Sequence, residues 1–199
     1  PAEQKRKSAP FLVSIIIPLF NKLEFTSRCF ESILTHTQNI AYEIIFIDNN
    51  STDGTWNYLE TISNKYSHIK SLHNSMNIGF AAANNQGFRA SGGKYILLLN
   101  NDTEVTEGWL APLTKILETD PEIGAVGSKL LYPDGTIQHA GVVMVDNRKI
   151  GDPLRGEHIF SREHPDHPEA NIPRYYQALT AACLMVRREL YEELGGLDE

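Results

Sequence analysis

The chain has 199 residues, 18 Lys and Arg against 25 Asp and Glu, and a formal net charge of −7. That length suits one domain or two small ones, and 41% hydrophobic with 22% charged residues excludes a disordered, fibrous or coiled-coil chain. The acidic balance leaves no basic surplus to neutralise phosphates, so nucleic acid is not expected as a partner. Two cysteines, Cys29 and Cys183, are too few for a disulfide framework. Both have apolar neighbours and read as small buried hydrophobes in a reducing compartment.

Residues 1–10 carry Lys5, Arg6 and Lys7 without an apolar partner and read as a polar lead-in or linker. The longest apolar stretch, Phe11 to Phe20, is broken by Ser14 and Pro18, and its ten residues fall short of the about 20 that a membrane span needs. No small-residue cleavage site follows it, so a signal peptide is not expected. Val13–Ile17, closed by Pro18, is a continuous apolar run without alternation, which suits a strand buried on both faces. Phe25, Cys29, Phe30, Ile33 and Leu34 then recur at helical spacing within 24–36. A second buried strand is expected at Glu43–Ile47, ending at Asp48, and Ser51 and Asp53 offer caps for the following helix. That helix shows Trp56, Leu59, Ile62 and Tyr66 on one side.

A short strand at Ile69–His73, an Ala-rich helix at Phe80–Ala90 and a third strong strand at Tyr95–Leu99 follow. Trp109, Leu110, Leu113, Ile116 and Leu117 form the stripe of another helix. Gly124–Leu131 and Thr136–Val145 read as strands joined by the turn Pro133-Asp134-Gly135. Residues 146–175, with four prolines and three histidines, read as a long loop of the kind that forms a lid. Arg188–Leu194 is expected as a helix stopped by Gly195-Gly196.

Alternating strands and helices predict an α/β fold with a mostly parallel sheet, and such sheets bind ligands beyond the carboxyl ends of their strands. Pro18–Asn21, Asp48–Asn50 and Asn100–Asp102 then share one edge, each a place where polar residues abruptly follow apolar ones. No glycine follows the first strand as a dinucleotide fingerprint requires, and no Gly-Lys-Ser/Thr occurs anywhere. Asp102 with Asn100 offers oxygen ligands for Mg²⁺ or Mn²⁺ beside a diphosphate. Taken singly, Asp48, Asn49 and Asn50 read most plainly as turn residues, but three polar strand ends together weigh against that account.

Five segments taken in order resemble a known family. They are Val-Ser-Ile-Ile-Ile-Pro at 13–18, Ile-Ile-Phe-Ile-Asp-Asn-Asn-Ser-Thr-Asp-Gly-Thr at 44–55, Asn-Ile-Gly-Phe-Ala-Ala-Ala-Asn-Asn-Gln-Gly at 77–87, Gly-Lys-Tyr-Ile-Leu-Leu-Leu-Asn-Asn-Asp-Thr at 93–103 and Gly-Gly-Leu-Asp-Glu at 195–199. Together they are similar to the family 2 nucleotide-sugar glycosyltransferases of GT-A fold, over residues 12–199. The resemblance implies a Rossmann-like, mostly parallel sheet flanked by helices, with a smaller acceptor-side β region and a catalytic domain over 11–199. It implies an inverting transfer from a nucleoside-diphosphate sugar (UDP or dTDP) to a glycan or polysaccharide acceptor, assisted by a divalent cation. Pro18, Phe20 and Asn21 would line the nucleotide pocket, with Asp48 hydrogen-bonding the base and Asn50 beside it. Asn77, Gly79, Phe80 and Asn84 would approach base and ribose, although many members carry Arg where this chain has Asn84.

Asn100-Asn101-Asp102 matches the family's Asp-x-Asp motif with Asn in place of its first acid, a version associated with a rhamnosyltransferase-like subgroup. Asp102 is then the main metal ligand. The family's base usually lies on an acidic pair after the Gly-Gly-Phe-Asp-Glu motif. Asp198 is the candidate within these residues, and the expectation is that the acceptor side is cut short and that 199 residues alone transfer sugar poorly. The resemblance also implies a role in polysaccharide biosynthesis at the cell envelope. It puts the domain in the cytoplasm, at the membrane's inner face through other parts of a longer chain.

A non-catalytic nucleotide-sugar-binding or scaffold domain of a multi-domain protein is the alternative, and a sugar nucleotidyltransferase would need a Gly-rich phosphate loop that Leu19–Lys22 lacks. Of the remaining residues, His139 divides between a ligand-facing and a structural role, and Pro165 argues against zinc at His164 and His167. Trp56 and Trp109 read as core, and Arg187, Arg188 and Lys5–Lys7 as solvated charges.

Overall fold

The structure, a computed structural model, describes residues 11–147 and 152–199. The lead-in with Lys5, Arg6 and Lys7, and part of the expected loop, lie outside the described residues. In chain order the elements are β1 (Val13–Leu19), α1 (Leu23–His36), β2 (Tyr42–Asp48), α2 (Thr55–Lys65), β3 (Ile69–His73), α3 (Gly79–Ala90), β4 (Tyr95–Leu99) and α4 (Leu110–Thr119). They continue with β5 (Ala125–Gly127), β6 (Leu130–Leu131), β7 (Ile137–His139), β8 (Val142–Asn147), β9 (Asp152–His158), β10 (Cys183–Arg187) and α5 (Arg188–Glu193).

A six-stranded sheet of order β3-β2-β1-β4-β10-β5 forms the centre. β1 is parallel to β2 and to β4, and β2 to β3, whereas β10 runs antiparallel to β4 and β5. All seven residues of β1 are buried because helices cover both faces. Ile15 and Ile17 pack with Cys29, Phe30 and Ile33 of α1, Leu59 of α2 and Leu113 of α4. Ile16, Ile45 and Leu98 face the other way, onto Ala83 of α3 and Tyr191 of α5. Helix α3 lies so close to β1 that a Cβ on Gly87 would stand 2.4 Å from Ile16 Cγ2. β1 also runs through Pro18 to Leu19, where its pairing with β4 has already ended at Ile16.

Several expectations need correction. Phe25 is 39% exposed and carries the Arg28 guanidinium over its ring, because Thr26 takes the buried place on α1. Ser51 and Asp53 do not cap α2, whose first turn follows Gly54 in left-handed conformation. Asp53 instead accepts from the backbone N–H of Leu23, the first residue of α1, as well as from Thr55. Of the two strands expected around the 133–135 turn, the first divides into β5, in the main sheet, and β6. The second divides into β7, paired with β6, and β8. The break in the second falls at Gly141, with φ +129 and the Tyr176 ring packed on it. The 146–175 stretch is not structureless: β9 pairs with β8, and a 3₁₀ turn spans Pro168–Asn171. Arg187 and Arg188 are not solvated charges, for they donate to the carbonyls of Ile123, Leu117, Asp120 and Gly93.

Candidate functional site

The carboxyl ends of the four parallel strands lie along one edge of the sheet. Register places Leu19, Asp48 and His73 side by side across β1, β2 and β3. The loops beyond them are tied together. Asn21 donates its backbone N–H to Ser51 Oγ at 2.6 Å, and its Oδ1 accepts from the Thr52 N–H at 2.8 Å. Asn21, Lys22 and Asn50 all hold positive φ, a conformation that non-glycine residues seldom adopt and that concentrates at functional turns.

Asp48 has no exposed surface. Its carboxylate accepts from the Ser51 N–H at 3.2 Å and from His73 Nδ1 at 2.7 Å. A second polar layer links β2, β3 and α3. Asn74 donates to Asn49 Oδ1 and exchanges two bonds with Gln86, while Asn49 donates to the Gly79 carbonyl. Asn77 Oδ1 accepts from the Gly79 N–H at the start of α3. Phe20, Met76, Ile78 and Phe80, at the ends of β1 and the start of α3, leave large apolar surfaces in water. Asn84 is buried within the second turn of α3. It donates back to the Phe80 carbonyl, and its Oδ1 has no partner among the described residues.

After β4, Asn101 donates to Thr26 Oγ1 and so pins the loop to α1. Asp102 is exposed and makes no hydrogen bond or ion pair among the described residues. Its charge reaches Cys29, whose thiol is pushed up to about 12 by burial first and by Asp102 second. No cluster of three His, Cys, Asp or Glu that could hold a metal ion occurs among the described residues. One exposed carboxylate, two positions along the loop from Asn100, still fits a hard cation, because Mg²⁺ and related ions are commonly held by one or two carboxylates plus substrate phosphates.

Asn100 also lines a cavity of about 360 Å³ with Gln138, His139, His158, Ser161 and Thr180. His139 Nδ1 lies 2.9 Å from His158 Nδ1, so one ring donates and the other accepts. Burial, then His158, lowers His139 to about 4, which makes it a neutral ring at neutral pH. On its other side His139 lines a larger trough of about 890 Å³ with Trp109, Ile172, Tyr175 and Tyr176. Trp109 is anchored by its Nε1–H to Thr37 Oγ1, and Trp56 packs on the core and against His73, in keeping with core roles for both. His164 lies exposed in a turn and His167 stacks on Phe160.

The terminal segment joins the site's other side. Asn85 of α3 accepts at Oδ1 from Tyr191 Oη–H and from the Leu197 N–H. Its Nδ2 donates to the Leu197 carbonyl and to Glu199 Oε1. Asp198 is thereby held near α3 but stays exposed. The edge thus brings together Pro18, Phe20, Asn21, Asp48, Asn50, Gly79 and Phe80, with Asn100–Asp102 at the end of β4, while Asn84 sits inside α3. Sequence reading missed His73 and Asn85. His73 had only a weak signal, as the polar last residue of a short strand, in register with Asp48 at the end of β2. Asn85 had none, because its partners lie more than 100 positions away.

A mostly parallel sheet wrapped on both faces, with polar loops along its carboxyl edge, defines a doubly wound α/β domain of GT-A type. The sequence profile described as "Glycosyl transferase family 2" matches residues 14–195, so the chain belongs to that family. An uncharacterised protein of Sinorhizobium fredii is 35% identical over 191 residues, covering 94% of this chain and 21% of its own length. The O-antigen biosynthesis protein RfbC of Myxococcus xanthus is 35% identical over 195 residues, covering 94% of this chain and 14% of its own. The chain therefore spans about a fifth or less of these relatives' lengths. Among solved structures, the mannosyltransferase PcManGT of Pyrobaculum calidifontis, in complex with GDP-Man and Mn²⁺, superposes with a TM-score of 0.64. That match has 18% identity over 96% of this chain and 49% of the other, and shares the fold. No helix among the described residues is long and apolar enough to cross a membrane.

Proposed function

We propose that this domain transfers a sugar, with inversion, from a nucleoside-diphosphate donor to a glycan acceptor during surface-polysaccharide synthesis. The observation that carries the proposal is Asp102, an exposed carboxylate without a partner among the described residues, at the carboxyl edge of a family 2 sheet. Pro18, Phe20, Asn21, Asn77, Gly79 and Phe80 form the nucleotide pocket, with Asp48 and Asn50 at its base end and Asn84 behind it. Asn100, Asn101 and Asp102 face the diphosphate, and Asp102 with Asn100 would hold Mn²⁺ or Mg²⁺. When bound, such an ion offsets the charge that develops on the leaving diphosphate. Asp198 is the acceptor-side carboxylate, suited to take the acceptor hydroxyl's proton as that oxygen attacks the sugar carbon. The rest of the domain's contribution is positioning and electrostatics. The printed function of the Myxococcus relative, O-antigen biosynthesis, and the neighbour's GDP-Man and Mn²⁺ support the substrate class. Asn100 in place of an acid supports a rhamnosyltransferase-like member.

Calorimetry with UDP, dTDP and GDP, each with and without Mn²⁺, tests the reading. At least one nucleotide should bind in a metal-dependent way, and Asp102→Ala should abolish that dependence. Metal-independent binding of all three, or no binding, overturns the donor site. Binding without transfer to any acceptor by the full-length protein turns the reading toward a non-catalytic sugar-nucleotide-binding domain.

A further inference from the structure

The sequence reading assigns the donor base to Asp48 itself. In the structure its carboxylate is wholly buried, and one of its closest donors is a histidine from the neighbouring strand. His73 Nδ1 lies 2.7 Å from Asp48 Oδ2. A carboxylate only accepts, so the bond puts the imidazole proton on Nδ1. In the neutral form of the ring Nε2 then holds a lone pair, and it has no hydrogen-bond partner among the described residues. The side chain is 37% exposed while that of Asp48 is at 0%, so the imidazole is the part of this pair that meets a ligand.

The ring is held on more than one side. The Trp56 ring lies with its centroid 4.8 Å from that of His73. The backbone N–H of Asn74, the next residue, donates to the Asp48 carbonyl at 2.8 Å. The Asn74 side chain is itself locked into the Asn49–Gln86 pair. An imidazole fixed by a buried carboxylate is also a better acceptor at its second nitrogen, as second-shell carboxylates make metal-bound histidines.

We propose that His73, oriented by Asp48, reads the nucleobase of the donor and selects bases that carry a ring N–H. This rests on the donor-site reading above. Uracil and thymine present N3–H and guanine presents N1–H to such an acceptor. Cytosine and adenine present a lone pair at the corresponding ring nitrogen, and two lone pairs repel. A site built to accept a hydrogen bond rejects a ligand that lacks the donor far more strongly than an apolar pocket rejects a changed shape.

The test is calorimetry of UDP, dTDP, GDP, CDP and ADP, all with Mn²⁺, on the wild-type protein and two variants. The wild type should bind at least one of the first three roughly tenfold or more tightly than CDP and ADP. His73→Asn keeps a donor near Nδ1 for Asp48 but has nothing at the Nε2 position. It should lose that preference, with the preferred nucleotide weakened and CDP bound no more weakly than by the wild type. His73→Gln reaches the Nε2 position with an amide oxygen and should recover part of the preference. CDP affinity no weaker than that of the wild type is the control that the site is still folded. A wild-type preference that persists in His73→Asn overturns the role of His73 and leaves the donor site standing. A wild type that binds no nucleotide overturns the donor site and this reading with it.

Discussion

Asn85 and Gly196 are in direct contact: a Cβ added to Gly196 would stand 2.3 Å from Asn85 Oδ1, and Gly196 already holds φ +90. The asparagine uses its amide in four hydrogen bonds, all to residues 191–199. Gly196→Ala therefore faces both a strained backbone and a displaced amide. It should lower stability by about 2 kcal/mol. Asn85→Asp keeps the two acceptor roles but loses both donors to Leu197 and Glu199. It should loosen the terminal segment, seen as faster hydrogen exchange over 195–199 while β1 and β2 stay protected. Unchanged exchange there in Asn85→Asp would show that the amide does not hold the segment.

Glu43 sits at the opposite end of the sheet. Burial alone would raise its carboxyl, but the Gly92 N–H, Lys70 and Ser14 outweigh that and hold it below the ordinary range. Its stabilisation is present in full above the ordinary carboxylate value and is lost as pH falls through the lowered folded value. Glu43→Ala orphans Ser14 and the Gly92 N–H and should cost roughly 2 kcal/mol at pH 7 in chemical denaturation. Glu43→Gln should flatten the loss of melting temperature below pH 4.5, the ordinary value for this group.

His139 acts in a higher window. Its ring falls from 6.5 to about 4 on folding, so between those values the unfolded chain takes a proton that the folded chain refuses. Stability must then fall as pH drops from 6.5 toward 4. The effect should be on the order of 2 kcal/mol after allowance for water in the adjoining cavity. His139→Gln should remove that part of the pH dependence and leave the part below it, which belongs to Glu43 and other carboxylates. An identical melting profile for wild type and His139→Gln from pH 7 to 4 would count against this assignment.

Both cysteines should be silent in the native state. Cys29 is fully buried with its thiol at about 12, and burial likewise raises Cys183, against a smaller opposing effect of Ser128. The thiolate is the reactive form. Iodoacetamide at pH 8 should leave the folded protein unlabelled by mass spectrometry and label both sites in urea.

The four parallel strands, α1–α4 and α5 were legible because their signals are local. Val13–Ile17, Glu43–Ile47 and Tyr95–Leu99 are apolar without alternation, and only strands covered on both faces tolerate that. The polar residues that follow such runs marked the carboxyl edge, and with it Asp48, Asn50 and Asp102. Where signals are weak and short, as in Ala125–Leu131 and Ile137–Asn147, pairing partners decided the outcome. A three-residue strand such as β5 is specified by the β10 backbone beside it, not by its own side chains.

Sequence alone thus determined the four parallel strands, their helices and the edge on which the candidate residues stand, because strand and helix periodicity need only near neighbours. The tertiary structure decided which atoms of that edge stay free. It buried Asp48 behind His73, 25 positions away, left Asp102 open, tied Asp53 to the start of α1 and Asn85 to the terminal segment, and paired His139 with His158. Hydrogen bonds between distant side chains depend on strand register and helix packing, which no local pattern of residues encodes.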